Sequence, residues 1–132
     1  MLRLLTTVID RPIVGQRESQ SLGRISEAII DCAGGKIVAY RTTARPEYLS
    51  VVDIVAYLDD AVVVSDGSVL QAEDDLVRIK RLGRERTSGI GLRVVTDTGK
   101  KLGRIDDLLF ETEGHLLTRY HVKPSWLQRL TA

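Results

Sequence analysis

The sequence predicts a mainly β protein made of two similar units joined by a helical linker. The first reason is an internal repeat, because Leu22-Gly23-Arg24-Ile25 returns eighty residues later (102 minus 22) as Leu102-Gly103-Arg104-Ile105. A polar turn precedes both copies, and an apolar run ending in an acid, a glycine turn and another apolar run follow them. The second reason is composition, since these runs are short and rich in the β-branched and aromatic residues that strands prefer.

The strands of the first unit are predicted in chain order. Residues 13–15 open the unit, the repeated motif lies in the next strand, and residues 36–40 form the third. The apolar segment 48–58 and the buried run 61–64 follow, separated by the turn Asp59-Asp60.

Two glycines are predicted to mark structural bends. Gly23 and its counterpart Gly103 each stand inside a strand, where glycine is normally unfavourable. A bulge or a close approach of two backbones explains a glycine at such a place. We expect a Gly→Val substitution at either position to destabilise the fold by about 1 to 3 kcal/mol.

A helix is predicted between the two units. Val69, Ala72, Leu76 and Ile79 keep the 3- and 4-residue spacing of one helix face. The acids at 73–75 would lie near its start and several basic residues near its end, where both complement the helix dipole. The chain therefore divides into a first unit at 1–66, a helical linker at 67–88 and a second unit at 89–132.

The second unit is expected to lack its closing strands. Predicted strands at 92–95 and 115–122 flank its copy of the motif, but the counterpart of Val64 would fall near position 144 (64 plus 80), beyond Ala132. The third strand should therefore have an open edge, which either strands shared within the chain or a second chain in a homodimer would cover. Trp126, Leu127 and Leu130 are the candidate partner contacts, because they are apolar and keep helical spacing.

These features resemble the PRC-barrel family. The resemblance rests on the strand with Leu-Gly-Arg-Ile, the apolar run that ends in an acid, and the segment 48–64, and it covers residues of about 10 to 66 and about 90 to 123. It implies two small, strongly bent β-barrels or half-barrels in tandem that serve as docking modules without catalytic residues. Related barrels occur in the ribosome maturation factor RimM and in the cytoplasmic domain of the photosynthetic reaction-centre H subunit.

Composition narrows the possible partners. The net charge is +1, and the basic run at 78–86 has no interleaved aromatic residues, so nucleic acid is not expected as a partner. No apolar run approaches the ~20 residues that span a bilayer, and no signal-peptide pattern occurs. We therefore expect no integral membrane segment and a cytoplasmic location. Cys32 is the sole cysteine, which excludes an internal disulfide.

No set of residues predicts catalysis, a metal site or a cofactor. His115 and His121 are six apart and would share a strand face, but too few other ligands accompany them, so both are expected to be strand-surface histidines. Asp106-Asp107 is expected at a solvated strand edge. No nucleophile lies beside a histidine, and no glycine-rich loop has the strand-then-helix context that binds a dinucleotide.

The sequence thus predicts a non-enzymatic interaction or adaptor module whose partner is another protein or a second copy of itself. The main alternative is a factor associated with ribosome assembly or RNA processing. A third possibility is a peripheral component of a photosynthetic or other energy-converting membrane complex. Both alternatives come from the family resemblance, which is an analogy at the level of the fold.

Overall fold

The computed structural model describes residues 1–82 and 86–126, and the predicted contact residues Leu127 and Leu130 lie outside this part. The described chain is mainly β, which confirms the predicted class. Its strands are β1 (Leu2–Leu4), β2 (Pro12–Gly15), β3 (Gln20–Asp31), β4 (Lys36–Thr42), β5 (Tyr48–Ser50), β6 (Ile54–Tyr57), β7 (Val62–Val64), β8 (Arg86–Thr87), β9 (Arg93–Val95), β10 (Lys101–Glu111) and β11 (Leu117–Pro124). Among these residues no helix has the length and apolarity needed to cross a membrane.

The strands form two sheets, and neither closes on itself within the described ranges. One sheet has seven strands in the order β5-β4-β3-β2-β7-β6, with β8 beside β3. The other has four strands in the order β1-β10-β11, with β9 beside β10. The repeated motif lies in β3 and β10, which are the long strands of their sheets with twelve and eleven residues.

The two long strands bend at equivalent positions. Each has a β-bulge in its pairing with the strand that follows it, at Ser26 in β3 and at Asp106 in β10. Arg24 donates a hydrogen bond of 2.6 Å to the carbonyl of Asp10 just before β2, and Arg104 donates one of 2.8 Å to the carbonyl of Gly91 just before β9. The eighty-residue spacing of the sequence therefore recurs in the bulges and in these side-chain contacts.

The two units share strands within the chain. β1, at the start of the first unit, pairs with the end of β10 and places Arg3 opposite Phe110. β8, which leads into the second unit, pairs with the end of β3 and places Thr87 opposite Ile30. Ile30 and Phe110 are eighty residues apart and so occupy equivalent positions in β3 and β10. At this position β10 pairs with the strand at the start of the first unit, and β3 pairs with the strand that leads into the second.

One main hydrophobic core extends across both units as a result. Leu5 is fully buried between β1 and β2, and it belongs to the same cluster as Ile105, Leu108 and Phe110 of the second unit. Burial of these apolar side chains holds the shared strand β1 in place. The two sheets therefore depend on each other for their packing.

The linker is less helical than predicted. Short 3-10 turns occupy Gly67–Val69 and Glu73–Asp75, and in the described part of the linker only Val77–Leu82 forms an α-helix, α1. Between the turns, Gln71 pairs with Tyr48 at the edge of β5 through two backbone hydrogen bonds of 2.8 and 2.9 Å. A continuous helix is excluded there because its backbone groups would have to bond within the helix instead.

The helix α1 covers the outer face of the first unit. Leu76 and Ile79 are buried at the start of this segment, and they pack with Ile29, Val38 and Ala39 of β3 and β4. This second, smaller core explains the apolar spacing in the linker sequence. The first unit therefore shows this sheet face covered by α1, and the corresponding face of the second unit can be compared with it.

Candidate interaction surface

The outer edge of β11 is open in the part of the chain that the structure describes. β11 pairs with β10 on one side, and on the other side an isolated bridge joins Lys36 to Leu116 just before the strand begins. In the first unit β5 covers the same side of β4, pairing with Ala39, Tyr40 and Arg41. β11 therefore offers backbone N–H and C=O groups at positions where the first unit has them paired.

Large side chains along this edge are exposed. Tyr40 is fully buried, whereas Tyr120, its counterpart eighty residues later, is 53 % exposed. Leu116 and Trp126, at the two ends of β11, are 52 % and 63 % exposed. An unpaired strand edge flanked by apolar and aromatic side chains is typical of a binding surface.

A shallow groove of about 540 Å³ lies at the end of β11. Leu102, Val122, Pro124 and Trp126 form its mostly apolar floor, and Lys100 lies at its rim. Trp126, which the sequence predicted as a partner contact, thus lies on the surface beside the open edge. The groove extends the candidate surface from the strand toward the end of the described chain.

Basic side chains lie on the face of this sheet that points away from the core. Arg93, Arg104 and Lys123 stand opposite one another on β9, β10 and β11, forming a row across the sheet. Arg119 and His121 follow along β11, and both are exposed. Among the ion pairs between described residues, none includes Arg93, Arg104 or Arg119. The carboxylate of Asp107 lies on the same face, opposite His121, but the arginine and lysine side chains outnumber it, although the chain has a net charge of only +1.

Both predicted bends have backbone angles that favour glycine. The φ angle is +155° at Gly23 and +149° at Gly103, a region that residues with a side chain rarely adopt. A Cβ atom at Gly103 would overlap the carbonyl oxygen of Lys123 in β11, and one at Gly23 would lie 2.9 Å from the backbone nitrogen of Ala44. Gly103 thereby allows the end of β11 to lie close against β10.

A chain of hydrogen bonds joins the two sheets at Tyr57. The Tyr57 hydroxyl lies 2.9 Å from that of Tyr40 and 3.0 Å from Nε2 of His115. The rings of Tyr57 and Phe110 meet edge to face with centroids 5.6 Å apart. The Tyr57 hydroxyl can donate one hydrogen bond and accept another, so this one group can satisfy both the Tyr40 hydroxyl and Nε2 of His115. Burial raises the pKa of both tyrosines, which keeps the hydroxyls protonated as donors.

The prediction of strand-surface histidines is wrong for His115. Its side chain is only 8 % exposed, and its backbone has a φ of +61° in the turn before β11. Even spacing places two residues on one face only within a continuous strand, and His115 lies in the turn before β11. His121 lies exposed on β11, as predicted. The two histidines therefore occupy different environments.

Protein stability is expected to decrease below about pH 6.5 because of His115. Burial lowers the pKa of His115 below its usual value of 6.5, and the charge of Glu111 opposes this only in part. The unfolded state then binds a proton at a higher pH than the folded state, so acidification favours unfolding. Melting temperatures measured from about pH 7.5 to 5.5 should fall by less in His115→Asn, because asparagine tolerates a positive φ and does not titrate.

His121→Asn is the matched control for this measurement. It removes an exposed histidine and should leave the wild-type pH dependence unchanged. A His115→Asn variant whose melting temperature varied with pH as steeply as that of the wild type would contradict the role of His115.

Asp107 connects β10 to the turn after β1. Its carboxylate accepts hydrogen bonds from the N–H and the hydroxyl of Thr6, at 3.1 and 2.5 Å, and from the N–H of Leu108 at 2.8 Å. The predicted solvated edge is therefore wrong for Asp107, because strand sharing brings Thr6 beside it. Asp106, at the bulge, is exposed.

An Asp107→Ala substitution is expected to destabilise the protein by about 1 to 2 kcal/mol, since the N–H of Thr6 loses its acceptor. Asp106→Ala removes the neighbouring exposed carboxylate and should change stability by no more than about 0.5 kcal/mol. Urea unfolding of the two variants measures the difference. Equal midpoints would show that the contact with Thr6 contributes nothing.

The remaining candidate residues do not converge on a site. Cys32 is exposed in the turn between β3 and β4, and the acids of Glu73–Asp75 form a turn ahead of α1. Over residues 1–82 and 86–126, no three His, Cys, Asp or Glu side chains are grouped so that they could hold a metal ion. The β11 edge is the surface at which backbone groups, apolar side chains and charge come together.

The fold and this surface define a mainly β chain whose second sheet is open beside a bent, glycine-containing strand. Residues 85–127 match the PRC-barrel domain. A PRC-barrel domain is therefore present in the segment that contains β9, β10, β11 and Trp126. None of the curated proteins compared with the chain matches it.

Proposed function

We propose that the protein is a non-enzymatic interaction module that binds a protein partner by accepting an added strand at the outer edge of β11. The observation that carries this proposal is the contrast between β4, which β5 covers, and β11, whose outer edge is open in the described part of the chain. The PRC-barrel domain at 85–127 includes β11 and supports a module without catalysis.

We further propose that residues 1–66 and 89–132 are tandem PRC-barrel repeats connected by the linker 67–88. The shared motif, the equivalent bulges and the equivalent arginine contacts support this division. In the first repeat β5, β6 and β7 cover the inner face, and the partner's strand would supply part of that cover for the second repeat.

Strand addition fits the length and position of this edge. β11 has eight residues, whereas β6, at the end of the seven-stranded sheet, has four, and each strand has a bulge, at Thr118 and at Val55. A longer edge can form more backbone hydrogen bonds with an added strand, and alternate side chains then determine which strand binds. β11 is therefore the preferred edge.

Affinity purification with matched edge variants tests the proposal. Thr118 and Val55 are both bulged positions on open edges, where proline is best tolerated. With the full chain as bait, Thr118→Pro should reduce the recovery of specific partners at least tenfold, and Val55→Pro should leave it unchanged. Melting temperatures verify that both variants fold.

The identity of the recovered proteins shows in which process the module acts. Ribosomal proteins would indicate a role in ribosome assembly, and subunits of a membrane complex would indicate a role at that complex. A second copy of the chain would appear as a dimer in sedimentation equilibrium, and Thr118→Pro should dissociate it. Partner recovery that is unchanged by Thr118→Pro, or no specific partner and no dimer, would refute binding at β11.

A further inference from the structure

We propose that the segment bound at β11 is an extended peptide in which an apolar residue stands between two acidic residues. This inference rests on the proposed strand addition and specifies the chemistry of the added strand. It follows from the first unit, which contains the same strand with its cover in place, and from the side chains that differ between the two units.

The pairing of β5 with β4 supplies the register. β5 runs antiparallel to β4 and pairs with the three residues Ala39, Tyr40 and Arg41. The residues eighty positions later are Arg119, Tyr120 and His121, in the middle of β11. A strand added in the same way would therefore place three consecutive residues opposite these three.

The central residue of the peptide is expected to be apolar. In the first unit Leu49 lies opposite Tyr40, and both are 0 % exposed. In the second unit Tyr120 occupies the position of Tyr40 but is 53 % exposed, because the described chain has no counterpart of Leu49 there. An apolar side chain opposite Tyr120 would cover the ring on the side where Leu49 lies against Tyr40 in the first unit.

The two flanking residues are expected to be acidic. Successive side chains alternate between the faces of a strand, so Arg119 and His121 lie on the opposite face from Tyr120. In the first unit Ala39 is buried beneath α1, but its counterpart Arg119 is exposed and carries a charge. A carboxylate directly opposite Arg119 forms a favourable cross-strand ion pair, and one opposite His121 can accept a hydrogen bond from the N–H of the ring. On β10, Arg104 adds positive charge to the same face, and the carboxylate of Asp107, opposite His121, is bonded to Thr6.

The same charges disfavour a second copy of β11 as the added strand. Antiparallel pairing centred on Tyr120 would place Arg119 of each copy opposite the imidazole of His121 of the other, which offers no carboxylate. Pairing centred on His121 would place Arg119 opposite Lys123. Like charges directly opposite each other destabilise a strand pair. A nucleic acid could satisfy the charges, but its phosphates would not pair with alternating backbone N–H and C=O groups along the edge.

Fluorescence anisotropy with short labelled peptides tests the proposal on the full chain. The probe is a seven-residue peptide with Glu-Leu-Glu at its centre and threonine or valine on both sides. The wild-type protein should bind it, and binding should weaken with added salt because exposed charges contribute. A peptide with Leu-Glu-Leu at its centre exchanges the two faces and should bind at least tenfold more weakly.

Charge reversal supplies the specific control. Arg119→Glu should weaken binding of the Glu-Leu-Glu peptide at least tenfold and should gain binding of a Lys-Leu-Lys peptide. Lys80→Glu introduces the same change on the exposed face of α1 and should have no effect. Thr118→Pro should abolish binding of both peptides, while melting temperatures show that each variant folds.

The proposal would be overturned by no binding of the Glu-Leu-Glu peptide, by equal affinity for the Leu-Glu-Leu peptide, or by an Arg119→Glu variant that binds as the wild type does. Preference for a single-stranded RNA oligonucleotide, or a wild-type dimer that excludes the peptide, would overturn it as well. These failures differ from failure of the proposed function. If Thr118→Pro still abolishes partner recovery while the acidic peptide does not bind, strand addition stands and the acidic partner is rejected.

Discussion

Gly103→Ala is expected to lower the free energy of unfolding by about 3 kcal/mol. The φ angle of +149° is unfavourable for alanine, and its Cβ atom would overlap the carbonyl oxygen of Lys123. That oxygen belongs to the backbone, so relief requires β11 to shift away from β10 rather than a side chain to rotate. Urea unfolding monitored by circular dichroism measures the change.

A series of glycine substitutions separates the cost of the unfavourable φ angle at Gly103 from the cost of the overlap with the backbone of β11. Gly99 has a φ of +88° with open space around it, so Gly99→Ala should cost only about 1 kcal/mol. Gly23→Ala should fall between, at about 2 kcal/mol, because a Cβ there lies 2.9 Å from the nitrogen of Ala44. Gly114 is open and has no strained φ, and its substitution should cost no more than about 0.5 kcal/mol.

The order of the four effects decides the interpretation. Equal losses of unfolding free energy in Gly103→Ala and Gly99→Ala would show that the close approach of β11 adds nothing to the cost of the substitution at Gly103. Unchanged stability at both Gly103 and Gly23 would mean that the repeated glycines are incidental.

Tyr57→Ala is expected to destabilise the protein by about 3 to 4 kcal/mol. The Tyr57 ring lies between Tyr40 of the first sheet and Phe110 of the second, with centroid separations of 6.5 and 5.6 Å. Its removal would leave a cavity at the junction and would also leave His115 without its hydrogen-bond partner. Calorimetric melting should show a single transition shifted to lower temperature, because the two sheets share one core.

Two substitutions separate the ring from its hydroxyl. Tyr57→Phe keeps the packing but removes the hydroxyl between Tyr40 and His115, and it should cost about 1 to 2 kcal/mol. Tyr120→Ala removes an exposed tyrosine and should change stability by no more than about 0.5 kcal/mol. If Tyr57→Ala were as mild as Tyr120→Ala, the junction would not hold the two sheets together.

The features that the sequence determined by itself are local ones. The mainly β class followed from short apolar runs between turns, because strand and turn preferences depend on neighbouring residues. The equivalence of Gly23 and Gly103 could be identified before the structure, since a glycine inside a strand has a local steric cause.

The remaining features were decided only by the tertiary structure, because they depend on residues far apart in the chain. Pairing of β1 with β10 and of β8 with β3 has no signal in either partner's sequence, and this sharing places Thr6 against Asp107. The pairing of Gln71 with Tyr48 likewise overrides the helical spacing of the linker. His115 is buried because a turn of positive φ directs it toward Tyr57 of the other unit. Periodicity describes one segment at a time, whereas burial and hydrogen bonding are set by the segments that it meets.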